Sequence, residues 1–269
     1  MKLYVDLGNS YIKWALSDRE GDVRSDEESP ADPAAEIQLA SNSLNLPLNQ
    51  WHSLIAHNQW LLQGTDQLLF SQVLVSSVSQ NENRALLQAY MKQHFSIECT
   101  LQKSERCWQS LHNAYVKPER MGVDRWLAMI AAWHKYHQAC LVVDCGTAIT
   151  IDAIDESGQH LGGHIVPGIQ LLQKMLTGAT AQVKMFADDK RNDEADAIYG
   201  HSTSDAVTLG CQFMIRDYLQ NRWQQFHKAQ QNGLLLITGG DGLEASSQLD
   251  MASSYHRDLV LQGLYIRHQ

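Results

Sequence analysis

Two short acidic motifs, each lying between two apolar segments, contain the residues of this chain that are best suited to chemistry. Both read Asp-x-Gly followed by Asn or Thr, at residues 6–9 and 144–147. A tight turn around a glycine directs backbone N–H groups at one point, which suits phosphate oxygens, and a carboxylate at the end of a strand suits a hard cation. Because the motif occurs twice, the sequence predicts a duplicated fold that closes on one nucleotide.

The first motif is accompanied by further residues that can bind phosphate. Asn9 and Ser10 are short hydrogen-bond donors, Lys13 can neutralise a phosphate, and Asp6 can bind Mg²⁺ directly or through water. Taken alone, Asp-x-Gly-Asn is a weak signal because an ordinary surface hairpin has the same composition, and it is the repeat that favours a phosphate site. The sequence contains neither the P-loop pattern nor the dinucleotide-binding glycine pattern, so it gives no support to those two folds.

The second motif offers an acid and a hydroxyl group at the matching positions. Asp144 is a candidate cation ligand, and the hydroxyl and amide groups of Thr147 can contact a terminal phosphate. For Asp144 considered alone, an acid that accepts hydrogen bonds from the backbone amides of its own turn is an equally good explanation.

A third set of residues, Gly122-Val123-Asp124-Arg125-Trp126, places an acid beside an arginine where a helix is predicted to begin. The carboxylate of Asp124 can accept a proton from a substrate hydroxyl while Arg125 binds an anionic group. The residues alone favour a simpler explanation, in which Asp124 caps the helix and Arg125 is solvated. Tyr115 can line the same pocket, although on its own it is more typical of a hydrophobic core.

The surrounding sequence predicts the elements that position these motifs. Apolar segments at 2–7, 11–16 and 141–153 predict the strands of two hairpins, and Gly8 and Asn9 are predicted to form the first turn with positive φ values. The same periodicities predict helices at 54–70, 81–94, 124–137 and 201–230 and strands at 72–78, 160–165 and 234–237. A connecting segment is expected at 99–117 and a loop at 178–195. The polar stretch 17–45 is expected to contain a third strand and a variable loop, and residues 21–50 match no known motif. The order hairpin, strand, helix, strand, helix occurs in both halves, which predicts a duplicated α/β fold with mixed sheets and a ligand cleft between the halves.

The composition indicates a globular protein without nucleic-acid or membrane partners. The 269 residues carry a net charge of −9, from 21 basic and 30 acidic residues, and contain no basic run that would attract nucleic acid or an anionic membrane. The five cysteines show no Cys-x-x-Cys spacing, which favours reduced thiols in a cytoplasmic protein. The twelve histidines are scattered and no pair has a clear third ligand, so a zinc site is not expected.

Five motifs in this order resemble those of the type III pantothenate kinases, a family of the acetate/sugar kinase, Hsp70 and actin superfamily. The resemblance covers essentially the whole chain and rests on residues 6–13, 122–126, 144–148, 162–168 and 238–240. It implies an α/β fold of duplicated actin-like (ribonuclease H-like) domains, each with a mixed five-stranded sheet and flanking helices, and a ligand cleft between the halves. The implied halves are residues 1–117, with the first phosphate hairpin, and residues 118–269, with the catalytic acid, the second hairpin and the dimer interface.

The resemblance also implies an ATP-dependent kinase that phosphorylates the 4′-hydroxyl of pantothenate, the first step of coenzyme A biosynthesis. ATP binding is implied for Asp6, Leu7, Gly8, Asn9, Ser10, Tyr11, Ile12, Lys13 and Thr147, with Mg²⁺ at Asp6. Pantothenate binding is implied for Tyr115, Gly122, Val123, Asp124, Arg125 and Thr203. Asp124 is the implied catalytic proton acceptor, and Asp144 is the implied ligand of a monovalent cation, K⁺ or NH₄⁺. The family is homodimeric, which implies a homodimer whose pantothenate site is completed at the interface.

Two other functions are left open. The first is a different small-molecule kinase on the same fold. The second is a non-catalytic transcriptional accessory factor, since the Bvg accessory factor group shares this sequence pattern. The presence of Asp6, Lys13, Asp124 and Asp144 together argues against an inactive site. Ser10 departs from the threonine that many members carry, but the hydroxyl group is retained.

Overall fold

The computed structural model describes residues 1–17, 44–57, 60–61, 69–180, 182–186 and 198–269. Contacts group the chain into two compact units. The first unit contains Met1–His137, Ser157–His160 and Asp258–Gln269, and the second contains Gln138–Glu156 and Leu161–Arg257. The predicted boundary between residues 117 and 118 stays a prediction; by contact, residues 118–137 are grouped with the first unit.

The described residues form twelve strands and seven α-helices. The strands are β1 (Lys2–Leu7), β2 (Tyr11–Ser17), β3 (Leu44–Pro47), β4 (Gln72–Ser77), β5 (Cys99–Leu101), β6 (Cys107–Trp108), β7 (Leu111–His112), β8 (Cys140–Cys145), β9 (Ala148–Ile154), β10 (His160–Pro167), β11 (Leu234–Thr238) and β12 (Ser254–Tyr255). The helices are α1 (Leu48–Ala56), α2 (Asn81–Phe95), α3 (Val123–Tyr136), α4 (Ile169–Ala179), α5 (Thr203–Ala229), α6 (Gly242–Ser247) and α7 (Leu259–Ile266), and a 3₁₀ turn at Pro118–Arg120 precedes α3. In these ranges no helix combines the length and the apolar character needed to cross a membrane.

Each unit is built around a mixed five-stranded sheet, and the two sheets have the same arrangement. The strand order is β3-β2-β1-β4-β5 in the first unit and β10-β9-β8-β11-β12 in the second. In both sheets the central strand runs antiparallel to its hairpin partner and parallel to the strand on its other side. This repeat confirms the predicted duplicated α/β fold with mixed five-stranded sheets and flanking helices. The predicted ligand cleft stays a prediction.

The central strand β1 is apolar at consecutive positions because both of its faces are covered. Leu3, Val5 and Leu7 are buried in a cluster that includes residues of α1 and α2. Tyr4 points to the opposite face, where its ring centroid lies 5.5 Å from that of Tyr265 in α7. The strand that leads into the first acidic motif is therefore held from both sides.

Three predicted helices are confirmed and one is wrong. The helices predicted at 81–94, 124–137 and 201–230 correspond to α2, α3 and α5, with ends that differ by at most two residues. The helix predicted at 54–70 is wrong, since α1 ends at Ala56 and the described residues that follow it are not helical. Trp51 and Ile55, four residues apart, are the buried positions of α1, so its apolar face lies earlier in the chain than predicted.

The segments predicted as loops have mixed outcomes. The connecting segment predicted at 99–117 contains β5, β6 and β7. In the stretch at 17–45, which is expected to contain a third strand and a variable loop, residues 18–43 lie outside the described residues and β3 begins at Leu44. The described part of 21–50 also contains the start of α1. In the loop predicted at 178–195, the end of α4 is described, and residues 181 and 187–195 lie outside the described residues.

Close packing of α7 against α3 completes the core of the first unit. In α3, Val123 and every residue from Arg125 to Trp133 are buried. A Cβ atom at Gly263 of α7 would lie 1.9 Å from the carbonyl oxygen of Leu127. The two backbones therefore touch, and no larger residue fits at position 263 without separating the helices.

This contact predicts opposite effects for alanine at two helical glycines. Gly263→Ala is expected to lower the free energy of unfolding by about 1–3 kcal/mol, because the new methyl group overpacks the α3–α7 contact. Gly210→Ala in α5 is the matched control. Nothing lies within 4 Å of a Cβ atom there, so alanine is expected to stabilise the helix by about 0.5–1 kcal/mol. Thermal and urea unfolding measure both, and equal stability of the two variants would contradict the packing argument.

Candidate active site

The first acidic motif lies at the end of β1, between two strands that contribute polar side chains. Asp6 is directly opposite Lys13 of β2 and Ser76 of β4. Residues opposite one another project from the same face of a sheet, so the acid, the amine and the hydroxyl share one face. The hydroxyl of Ser76 donates a hydrogen bond of 3.1 Å to Asp6 Oδ1. The sequence prediction missed Ser76, although two serines at the end of an apolar strand were a signal for it.

Backbone hydrogen bonds hold the turn between β1 and β2. The N–H of Gly8 donates to the carbonyl of Tyr11 at 2.9 Å, and the N–H of Leu48 donates to the carbonyl of Ser10 at 3.0 Å. Neither Gly8 nor Asn9 has a positive φ, so that prediction is wrong. The turn depends on these two bonds instead, and Asn9 at its tip is exposed.

The second acidic motif is held by two glycine-containing segments from elsewhere in the second unit. The N–H of Gly168 donates to the carbonyl of Thr147 at 2.9 Å, and the N–H of Asp241 donates to the carbonyl of Cys145 at 3.0 Å. Thr147 itself is exposed. The segments at 162–168 and 238–242, which the sequence singles out by their glycines, therefore support this hairpin.

Negative charge is concentrated around the second motif. The carboxylate of Asp144 lies against the backbone of Gly239, where a Cβ atom would be 2.5 Å from Oδ1. Burial, and after it the charges of Asp144 and Asp241, raise the pKa of the Cys145 thiol to about 12. Burial and then the charge of Glu244 also raise the pKa of Asp241. Such a group of acids favours a bound cation, which would offset their repulsion.

The implied catalytic acid lies in the first turn of α3. The helix begins at Val123 and Gly122 is its N-cap, so the prediction that Asp124 is the N-cap is wrong. One Asp124 oxygen, Oδ1, accepts a hydrogen bond of 2.8 Å from the N–H of Arg125. The first N–H groups of a helix lack partners within it and carry a partial positive charge, which explains why a carboxylate is stable here.

Arg125 is buried and paired with Tyr115, which corrects the expectation of a solvated arginine. The arginine is 4% exposed, and its Nη1 donates a hydrogen bond of 2.8 Å to the Tyr115 hydroxyl. Its guanidinium carbon lies 5.6 Å from the centroid of the Tyr115 ring. Because a phenol is neutral, this contact orients the guanidinium without cancelling its charge. Tyr115 is half-buried and so is not an ordinary core residue.

By position, the predicted site residues form three groups and one separate residue, Thr203. The first unit contains the group around Asp6 and the group of Tyr115, Asp124 and Arg125. The second unit contains Asp144 with Thr147, and also Thr203, the exposed first residue of α5. At the start of α5, the side chain of Ser202 caps the helix by accepting a 3.1 Å hydrogen bond from the N–H of Asp205.

In sequence, the chain is similar to known pantothenate kinases along almost its entire length. The family model described as type III pantothenate kinase matches residues 2–225. A type III pantothenate kinase from Pseudomonas aeruginosa is 32% identical over 267 residues, which cover 98% of this chain and 97% of the relative. One from Azotobacter vinelandii is 29% identical over 269 residues, covering 99% and 98%.

The fold of the chain is also found among solved structures. One of them is that of a protein from Campylobacter jejuni described as belonging to the Baf family of transcriptional activators. The two are 21% identical, the match covers 98% of this chain and 96% of that one, and the TM-score is 0.56. At this identity the likeness concerns the fold alone.

The contact between Gly122 and the Asp124 carboxylate gives a prediction. A Cβ atom at position 122 would lie 2.5 Å from Asp124 Oδ1, so Gly122→Ala forces the carboxylate to turn away. Because the displaced group is a side chain, the fold should survive, whereas the kcat for pantothenate phosphorylation should fall by about 10-fold to 100-fold. Steady-state kinetics with Gly210→Ala as control measure the effect. A kcat equal to that of the control would show that the carboxylate does not need this orientation.

Proposed function

The chain belongs to the type III pantothenate kinase family, and from that premise we propose which residues carry out its reaction. The protein is a kinase that phosphorylates pantothenate with ATP in the first step of coenzyme A biosynthesis. One observation supports the assignment most strongly: an acid, Asp124, and a buried arginine, Arg125, occupy adjacent positions at the start of α3, with Tyr115 bonded to the arginine. A substrate with both a hydroxyl and a carboxylate needs these two functions.

We propose that Asp124 accepts the proton of the pantothenate hydroxyl. Its Oδ1 is occupied by the N–H of Arg125, and this bond fixes the plane of the carboxylate. Arg125 binds the pantothenate carboxylate, because a planar guanidinium can bind a carboxylate with two parallel hydrogen bonds. Gly122 and Val123 contribute to the same site at the helix start. Such positioning supplies most of the catalysis in phosphoryl transfer, in which little covalent chemistry falls to the protein.

We propose that the first hairpin binds the ATP phosphates. Gly8, Asn9 and Ser10 form the turn, Tyr11 begins β2, and Lys13 projects from the same face as Asp6. The side chains of Leu7 and Ile12 are fully buried, so these two residues can offer only backbone groups. When bound, Mg²⁺ neutralises phosphate charge, and it is commonly held by one or two carboxylates together with phosphate oxygens. Asp6 fits this use, since a hydrogen bond from Ser76 fixes its carboxylate near the end of β1.

We propose that Asp144 binds a monovalent cation and that Thr147 contacts ATP. The acids around the second hairpin support a cation. Burial first, and then the charges of Asp144 and Asp241, raise the pKa of the Cys145 thiol, and burial followed by the charge of Glu244 raises the pKa of Asp241. The backbone of Gly239 lies against the Asp144 carboxylate, and the Gly239 carbonyl oxygen accepts a 3.3 Å hydrogen bond from the Tyr255 hydroxyl. K⁺ and NH₄⁺ suit such a set of carboxylate and carbonyl oxygens.

We propose that the protein is a homodimer and that a second copy covers an apolar face of the second unit. None of the residues of α4 is buried, although the helix contains Met175 and Leu176, which are 53% and 42% exposed. Leu161 and Ile165 of β10 and Met214 of α5 are also more than half exposed. Thr203 begins α5, and we assign it to the pantothenate site. The cytoplasmic location also stays a proposal, in keeping with five cysteines that form no disulfide.

Loss of the proposed proton acceptor gives the test of function. Asp124→Asn keeps the shape of the side chain but removes its basicity, so kcat with pantothenate should fall by about 10²-fold to 10⁴-fold. The dissociation constant for ATP should not change, because the phosphate hairpin is untouched. Asp250→Asn, at an exposed aspartate, is the matched control. Unchanged kcat would remove Asp124 from its role, and no turnover of pantothenate by the unaltered protein with Mg²⁺ and K⁺ would refute the function itself.

The proposed cation site gives a second test. The unaltered protein should phosphorylate pantothenate at a higher initial rate in K⁺ or NH₄⁺ than in Na⁺ alone, because the larger ions lose their hydration shell more readily to protein oxygens. Asp144→Asn should abolish most of this difference, whereas the Asp250→Asn control should retain it. Initial rates at constant ionic strength measure the effect. Equal rates of the unaltered protein in all three salts would show that Asp144 has a structural role only.

A further inference from the structure

One guanidinium holds the two carbonyl groups of the segment that presents Tyr115. Arg106 precedes the β6–β7 hairpin, and its Nη1 donates a hydrogen bond of 2.8 Å to the carbonyl of Tyr115. Its Nη2 donates a hydrogen bond of 2.9 Å to the carbonyl of Val116. A rigid planar fork that binds two successive carbonyls fixes the orientation of the peptide between them.

Two buried side chains accept hydrogen bonds from the N–H groups of the same segment. The N–H of Tyr115 donates to Asn113 Oδ1 at 2.9 Å, and the N–H of Ala114 donates to His160 Nδ1 at 3.3 Å. Asn113 is 3% exposed and His160 is fully buried. The amide nitrogen of Asn113 is anchored in turn by a 3.1 Å bond to the carbonyl of Glu105. Four backbone groups around Tyr115 are thus bound by the side chains of three residues.

The ring of His160 also supports the ring of Tyr115. The two ring centroids are 6.3 Å apart and the ring planes are inclined by only 16°. Since the Ala114 N–H donates to Nδ1, that nitrogen carries no proton and acts as an acceptor. His160 therefore restricts both the backbone that carries the phenol and the plane of the phenol ring.

We propose that Arg106, Asn113 and His160 are positioning residues for pantothenate binding, which act through Tyr115 on Arg125. The Tyr115 hydroxyl accepts the bond from Arg125 Nη1, so the position of the phenol sets the orientation of the guanidinium. This inference rests on the proposed function, in which Arg125 binds the substrate carboxylate. A hydrogen bond weakens steeply once its distance or angle departs from the optimum, so a small shift of the segment should weaken substrate binding.

Removal of the Arg106 fork is the principal test. Arg106→Met keeps the aliphatic stem and, at an exposed position, leaves the core intact. The KM for pantothenate should rise about ten-fold, while kcat and the KM for ATP stay within about two-fold, because binding is weakened and the reacting groups are untouched. The matched control is Arg84→Met, since the side chain of Arg84 is hydrogen-bonded to Asn81 of its own helix. A loss of kcat without a change in KM, or no change at all, would overturn the proposal.

Two substitutions separate the functions of His160. His160→Asn retains an acceptor close to the position of Nδ1, whereas His160→Phe retains a flat ring without an acceptor. The KM for pantothenate should rise about ten-fold for phenylalanine, which loses the acceptor, and by less for asparagine, which loses only the ring. Thermal unfolding confirms that each variant is folded. A phenylalanine variant that is folded and has an unchanged KM would overturn the assignment of His160.

Tyr115→Phe distinguishes failure of this inference from failure of the proposed function. It removes the acceptor for Arg125 and should raise the KM for pantothenate without changing the KM for ATP. If Tyr115→Phe raises the KM but Arg106→Met does not, the positioning proposal is wrong and the proposed site stands. If Tyr115→Phe has no effect, the substrate-binding role of Tyr115 and the inference built on it are both wrong.

Discussion

The burial of α3 is the constraint on which the substrate site depends. Nine consecutive residues from Arg125 to Trp133 are buried, so the helix cannot rotate or slide without breaking the core. The acid and the arginine at its start are consequently fixed by packing that lies far from the chemistry. Fixed groups lose little conformational freedom when the substrate binds, which is the main advantage that a protein offers in phosphoryl transfer.

The duplicated sheet gives two hairpins with the same backbone arrangement and different electrostatic surroundings. Beside Asp6 lie an amine and a hydroxyl, Lys13 and Ser76, on one face of the sheet. Near Asp144 lies a further acid, Asp241, and the pKa of the Cys145 thiol is raised by burial and then by the charges of both acids. A hairpin flanked by a lysine suits phosphate, and one flanked by acids suits a cation. Duplication supplied the geometry twice, and the neighbouring residues determine which charge each copy attracts.

The parts of the fold that could be predicted are those determined by local periodicity. The strands of both hairpins and the long helix α5 follow from patterns of two and 3.6 residues, and the structure confirms them. The helix predicted at 54–70 is wrong. The prediction followed the spacing of the leucines, whereas the observed helix α1 lies earlier in the chain and packs into the core through Trp51 and Ile55. Local spacing does not show which apolar residues reach the core.

The candidate site was predicted by residue type but not by arrangement. The adjacency of Asp124 and Arg125 identifies them as site residues. By itself, however, this adjacency predicts a capping acid and a solvated arginine. The helix start at Val123 and the burial of Arg125 contradict both expectations, and neither can be read from the local sequence. The bond from Arg125 to Tyr115 joins residues ten positions apart. His160 is farther still along the chain, and only the fold of the first unit, to which it belongs, brings its ring against that of Tyr115.

The return of α7 to the first unit affects the order in which the chain can fold. This helix follows the whole second unit in sequence, yet it closes the core around α3. Contacts between residues so far apart along the chain form late, because a long loop must close before they stabilise anything. During synthesis, one side of α3 therefore stays uncovered until the residues of the second unit and then α7 have left the ribosome. The chain should fold as one interdependent whole, and a fragment that stops at residue 137 should be prone to aggregate.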